Sequence, residues 1–200
     1  MIVVRLHVGY CLTLWLLFHS LRKDRRMTQP LYTVRQLAYV TQDLDAALRY
    51  WVDVLHVGPF YVFEHIALDN QRYRGQPTDV DLTIALGNSG AVQIELMVQH
   101  NDTPSVYKEF LDAGRVGVHH FGLMPPDYQA AYDQYKALGH EAAFELTLGD
   151  THVTYFDTVQ SIGHFTELWE NTPALNEFFM LVENAAKGWD GKDPVRPGPL

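Results

Sequence analysis

HFGLMPPDYQAAYDQY, residues 120–135, is an altered copy of QLAYVTQDLDAALRYW, residues 36–51. At a constant offset of 84, Asp127 stands for Asp43, Ala130 and Ala131 for Ala46 and Ala47, and the aromatic Tyr135 for Trp51. Each copy opens with a short apolar strand that stops at polar or proline residues. The aspartate then falls where a helix N-cap belongs, ahead of an alanine-rich amphipathic stretch. Each copy ends near glycine, in VLHVGPF and in ALGH.

The correspondence continues downstream. YVFEHIAL, VDLTIALG and AVQIELMV read as three strands after the first helix, and EAAFEL, HVTYFDT and HFTELWE as three after the second. Glu95-Leu96 matches Glu167-Leu168 at an offset of 72, so the second copy is shorter by a dozen residues. The missing part corresponds to DNQRYRGQPTD, which its turn residues mark as a polar loop. The chain is therefore α+β, with two tandem βαβββ modules at 33–98 and 117–172, inside a domain spanning 30–172. The linker, 99–116, carries a short helix from Ser105 to Ala113. Residues 173–200 read as an amphipathic helix, with Phe178, Leu181, Val182 and Ala185 on one face for core or dimer packing, and a disordered tail.

Residues 1–26 differ in character. The apolar run from Val8 to Phe18 falls short of the roughly 20 residues of a membrane span, and its basic residues follow it, whereas a secretory signal carries them first. This leader reads as an over-extended start ahead of Met27, or else as a membrane anchor. The chain as a whole has an ordinary globular composition, 47% apolar and 20% charged. A net charge of −9 argues against a nucleic-acid binder. The single cysteine, Cys11, excludes an internal disulfide and fits a cytoplasmic protein.

The repeat also aligns polar residues. His120 holds the position of Gln36, and Glu167 that of Glu95. Gln36 shares its strand face with Val34, Ala38 and Val40, and His120 with Val118, Gly122 and Met124. Glu167 shares its face with Phe165 and Trp169, and Glu95 with Gln93. Any one of these fits an isolated hydrogen-bonded or solvated side chain. All four on inner faces need a common partner, because an unpaired buried charge costs several kcal/mol. One His, two Glu and one Gln oxygen form an N/O set for a divalent metal. Strand alternation puts the neighbouring His119 on the opposite face, under a helix and outside this set.

The motifs RQLAYVTQDLDAALRYW, VQIELM, GVHHFGL and HFTELWE resemble those of the vicinal oxygen chelate superfamily, over Val34 to Glu170. Its members include glyoxalase I, methylmalonyl-CoA epimerase, extradiol dioxygenases and antibiotic-resistance binding proteins. The resemblance implies a cup-shaped, partly open barrel, the glyoxalase/bleomycin resistance/dioxygenase fold. It also implies one metal ligand from the first and last strand of each module: Gln36, Glu95, His120 and Glu167. One divalent ion (Zn, Ni, Co or Mn) would hold two substrate oxygens and stabilise an enolate. Glu167 is then the first candidate base and Glu95 the second, with Glu64 as an outlying acid/base or a surface residue.

The implied activity is that of a glyoxalase- or epimerase-like isomerase or lyase acting on a 2-oxo or acyl-thioester compound, in a homodimer. The alternative is a binding protein that sequesters a small molecule. A ring-cleaving dioxygenase needs two histidines and one carboxylate with open positions, and Gln36 stands where one of those histidines belongs. Arg72 and Arg74 read as grips for an anionic substrate or as a solvated loop. Tyr61, Phe63, Tyr155, Phe165 and Trp169 suit an apolar substrate or plain packing.

Overall fold

The computed structural model describes residues 33–199; the leader lies outside them. Module 1 runs β1 (Val34–Val40), α1 (Leu44–Arg49, continued by a π-helical turn at Tyr50–Val54), β2 (Phe60–Phe63), β3 (Asp69–Tyr73), β4 (Gln76–Pro77), β5 (Leu82–Ser89) and β6 (Val92–Gln99). The linker helix α2 is Val106–Asp112. Module 2 runs β7 (Gly117–Leu123), α3 (Tyr128–Ala137), β8 (Ala142–Leu148), β9 (Thr151–Phe156), the short α4 (Val159–Ile162) and β10 (Phe165–Trp169). Helix α5 (Pro173–Ala186) and strand β11 (Val195–Pro197) complete the chain.

The helix starts follow from capping. Asp43 and Asp127 each accept from the backbone N–H three residues on, at 2.8 and 2.9 Å. Ser105 and Thr172 do the same for α2 and α5. Each cap satisfies an otherwise orphaned amide, worth about 1 kcal/mol.

One curved sheet contains all eleven strands of the described residues, in the order β11-β2-β5-β6-β1-β7-β10-β9-β8-β3-β4. The repeat is visible in the pairing. β1 lies parallel to β6 as β7 lies parallel to β10, and β1 and β7 join the modules antiparallel. Ile94 and Leu96 pack toward α1 with Leu48, and Leu168 packs toward α3 with Ala131. Their neighbours Glu95 and Glu167 therefore point to the other, concave side.

Three expectations are corrected. The segment read as a polar loop is the β3–β4 hairpin, which crosses from module 1 to pair with β8, Tyr73 opposite Phe144. Its turn residues Arg74 and Gly75 have φ of 46° and 78°, the paired left-handed conformation that suits a tight hairpin. The tail expected to be disordered forms β11, parallel to β2, where the amide of Phe60 donates to Pro194 O at 2.8 Å. Composition could not show this, because the sheet edge that orders the tail lies far away in sequence. Finally, α5 buries Leu175, Phe179 and Val182, leaving Leu181 exposed. Phe179 stands edge-on to Trp169 at 5.0 Å, and Phe178 to Phe63 at 5.4 Å, so the helix packs onto the concave side of its own sheet. Among the described residues no helix is long and apolar enough to cross a membrane.

Candidate active site

The four residues singled out by the repeat meet on the concave side. His120 Nε2 lies 3.2 Å from Glu167 Oε2, 3.3 Å from Glu95 Oε2 and 3.4 Å from Gln36 Oε1. All four side chains are buried. The register explains the convergence: β1 and β7 are adjacent at the sheet centre and are flanked by β6 and β10. Gly122 sits opposite Gln36 on one side and Glu167 on the other.

Three oxygens thus face a nitrogen that can donate one proton. Glu95 Oε2 and Glu167 Oε2 are buried and make no well-formed hydrogen bond, a costly state for carboxylate oxygens. Two ligands each about 2.1 Å from a cation lie about 3.0–3.4 Å from each other, which is the spacing found here around Nε2. The donor set therefore fits a divalent cation in chemistry, and the three distances to Nε2 are of the right size. Among the described residues no group of three or more His, Cys, Asp or Glu side chains is arranged as a ready metal site, so the side chains would have to adjust to hold an ion.

The electrostatics agree. Burial raises the Glu95 carboxyl, with His120 pulling it down and Glu167 pushing it up. Burial alone would lower the His120 imidazole, but Glu167 and then Glu95 outweigh it and lift it to about 9. A pKa of about 9 keeps the His120 imidazole protonated between the two carboxylates at neutral pH.

His119 departs from its expected position. Ala38 pairs with His120 but Tyr39 pairs with Val118, so His119 is the extra residue of a β-bulge. The bulge breaks the alternation and brings His119 Nδ1 to 2.9 Å from His120 Nδ1. His119 does lie under a helix, with Nε2 3.1 Å from Val106 O of α2. Burial, and then the charge on His120, push its imidazole well below the ordinary value.

The cavity beside Glu95 and Glu167 has a volume of about 50 Å³ and is walled by Tyr107, Tyr155, Trp169 and Leu175, among others. Tyr107 donates to the Tyr155 hydroxyl at 3.0 Å. Burial raises both phenols well above their ordinary value, so both are neutral at neutral pH. Of the expected aromatics, Tyr155 and Trp169 line this cavity, while Phe165 packs on His119 at 5.0 Å. Tyr61 and Phe63 pack against the same core.

The arginines do not serve the site. Arg74 pairs with Glu109 and Asp157, each at 3.0 Å, and with Glu141, which pins β3 to α2 and module 2. Arg72 donates to Gly75 O within its own hairpin. Glu64 is exposed beside His65 in an outer groove. Sequence reasoning passed over His119, Gly122 and Tyr107 as site residues. It placed Gln93 on the face of Glu95 without giving it a role, although Gln93 accepts from Gln36 Nε2 at 2.9 Å.

Comparison with known proteins agrees with this architecture. The family model described as Glyoxalase/Bleomycin resistance protein/Dioxygenase superfamily matches residues 35–155. The chain belongs to that superfamily. Among solved structures, methylmalonyl-CoA epimerase from Mycobacterium tuberculosis is similar at 18% identity and a TM-score of 0.50, covering 76% of this chain and 97% of that one. A hypothetical protein from Bacillus halodurans C-125 is similar at 14% identity and a TM-score of 0.50, over 70% and 95%. At such identities the likeness concerns the fold. No curated protein matched the chain.

Proposed function

We propose that this protein is a metal-dependent, glyoxalase- or epimerase-like isomerase or lyase that moves a proton at a carbon beside a carbonyl. The observation that carries the reading is the set of three acceptor oxygens converging on His120 Nε2. Gln36, Glu95, His120 and Glu167 would hold one divalent ion (Zn, Ni, Co or Mn), which when bound supplies Lewis-acid polarisation of substrate oxygens. Glu167 takes the proton from the substrate carbon as general base, and Glu95, held on the other flanking strand, returns one. A buried carboxylate whose affinity for protons is raised, as for Glu95, is suited to that exchange. The apolar wall excludes water, which keeps the carbanionic substrate from uncontrolled protonation.

The substrate class that suits the reaction is a 2-oxo compound or an acyl thioester; the superfamily resemblance adds a homodimer, and the single cysteine suits a cytoplasmic protein. The test is metal analysis of the purified chain joined to deuterium uptake at the substrate α-carbon, followed by NMR for both classes. Stoichiometric divalent metal and metal-dependent deuterium uptake are expected. A chain that takes up no metal after reloading, yet binds a small molecule, would be a sequestering protein instead.

A further inference from the structure

The other histidine of the pair, His119, lies where strand alternation did not place it. His119 is fully buried, and its ring stands 5.0–5.2 Å from those of Phe165, Phe110 and Tyr107. Its two nitrogens have different neighbours. Nε2 faces Val106 O at 3.1 Å, and a carbonyl only accepts, so Nε2 carries a proton. The ring is enclosed by Tyr107, Phe110 and Phe165, surroundings that suit a neutral imidazole, so Nδ1 keeps its lone pair. His120 Nδ1 lies 2.9 Å from it, and two ring nitrogens at that distance need one proton between them. That proton belongs to His120 Nδ1, which leaves His120 Nε2 as the atom facing Gln36, Glu95 and Glu167.

We propose that His119 is the positioning residue of this site, a relay from the backbone carbonyl of Val106 that fixes the tautomer and ring orientation of His120. The proposal rests on the metal-site reading for its consequence, since an imidazole binds a cation through its bare nitrogen and its other N–H sets the ring. The bulge is what makes the relay available. Module 1 has a matching bulge, because Val34 pairs with Leu123 and Gln36 with Gly122, leaving Arg35 extra. There the extra residue lies over the Phe179 ring at 5.7 Å instead, and Gln93 orients the Gln36 amide. Each module thus orients the ligand of its first strand through a buried neighbour.

The experiment uses the full chain labelled with ¹⁵N-histidine, as purified and after chelation. Long-range ¹H–¹⁵N correlation reads each ring's tautomer directly. His119 is expected with its proton on Nε2 and a bare Nδ1, and His120 protonated at Nδ1, in both states. A proton on His119 Nδ1 overturns the relay, whether or not the chain binds metal.

Zn²⁺ affinity, measured by competition with a chromophoric chelator, reads the consequence. His119→Phe, which keeps the ring shape but no acceptor, is expected to bind Zn²⁺ about 10–100-fold more weakly. His119→Asn, whose Oδ1 replaces the Nδ1 acceptor, is expected to recover most of that loss. An unchanged affinity in a folded His119→Phe protein overturns the proposal, as does a failure of His119→Asn to recover when His119→Phe is weakened. Should His119→Phe not fold, the tautomers and the Asn variant decide. A wild-type chain that takes no Zn²⁺ refutes the metal reading, while the tautomers still decide the relay.

Discussion

Gln36 donates from Nε2 to Oε1 of Gln93 at 2.9 Å, and both side chains are fully buried. An amide has a donor end and an acceptor end, so this bond decides which end of Gln36 faces the cluster. Oε1 is turned toward His120 Nε2, and an oxygen is the end that a cation accepts. Gln93→Leu removes the acceptor at similar volume. The Gln36 N–H is then buried and unpaired, a loss of about 1–3 kcal/mol, and its amide is free to turn over. Divalent-metal affinity is expected to fall about 10–100-fold, read by chelator competition, with the denaturation midpoint read in parallel. A stable variant with full affinity would show that Gln36 is not held through Gln93.

Gly122 makes a prediction on the other side of the cluster. A Cβ there would stand 2.9 Å from Gln36 Cβ and Oε1 and 3.2 Å from Glu167 Oε2. The gap between those two side chains is thus the size of a hydrogen atom. Gly122→Ala forces Gln36 aside and crowds Glu167 while leaving both residues unchanged in sequence. Metal affinity and α-proton exchange are expected to drop at least tenfold while the circular dichroism spectrum is kept. Full activity in Gly122→Ala would mean that Gln36 and Glu167 need not stay where they are.

Most of the fold could be read from local signals that repeat. Asp43 and Asp127 mark two helix starts, and Ile94 and Leu96 set the face of Glu95, because capping and alternation act within a few residues. What escaped depends on remote partners. The β3–β4 hairpin is ordered by β8 and the tail by the β2 edge, while the helix α5 is legible but its buried face is chosen by the concave side of the sheet. His119 escaped for a different reason. A bulge is a mismatch between two strands, β1 and β7, and neither strand's sequence alone shows it. Gln36, Glu95, His120 and Glu167 could be read because duplication places them twice, whereas Tyr107, in the unrepeated linker, has no counterpart to reveal it.

Arg74 holds the crossing hairpin in place. Its guanidinium meets Glu109, Glu141 and Asp157 at once. Its side chain is 32% exposed, so solvent screens the network and its worth lies well below that of a buried one. Arg74→Met removes the cation and leaves three carboxylates facing one another. A loss on the order of 1–2 kcal/mol is expected in denaturant unfolding at low salt. The deficit should shrink in 1 M sodium chloride, where the Debye length is about 3 Å. A salt-independent deficit would mean that the arginine acts through packing alone.

The last prediction concerns pH. In the metal-free chain the His120 imidazole is raised to about 9 by Glu167 and Glu95, against the lowering effect of burial. An ordinary histidine in the unfolded chain titrates near 6.5. A group raised in the folded state contributes stability that is fully present below about pH 6.5 and is lost as pH rises through about 9. Glu95, also raised, works in the same sense. His119 is depressed and works in reverse, losing stability as pH falls below about 6.5, and it adds no slope above that. The metal-free protein should therefore lose stability steadily from about pH 6.5 to 9, as read by the denaturant midpoint. Metal binding should show the complementary trend, because a ligating imidazole must first give up that proton. Affinity is expected to rise up to tenfold per pH unit toward pH 9 and then level off. An affinity flat across that range, measured with the same chelator at each pH, would remove His120 from the ligand set.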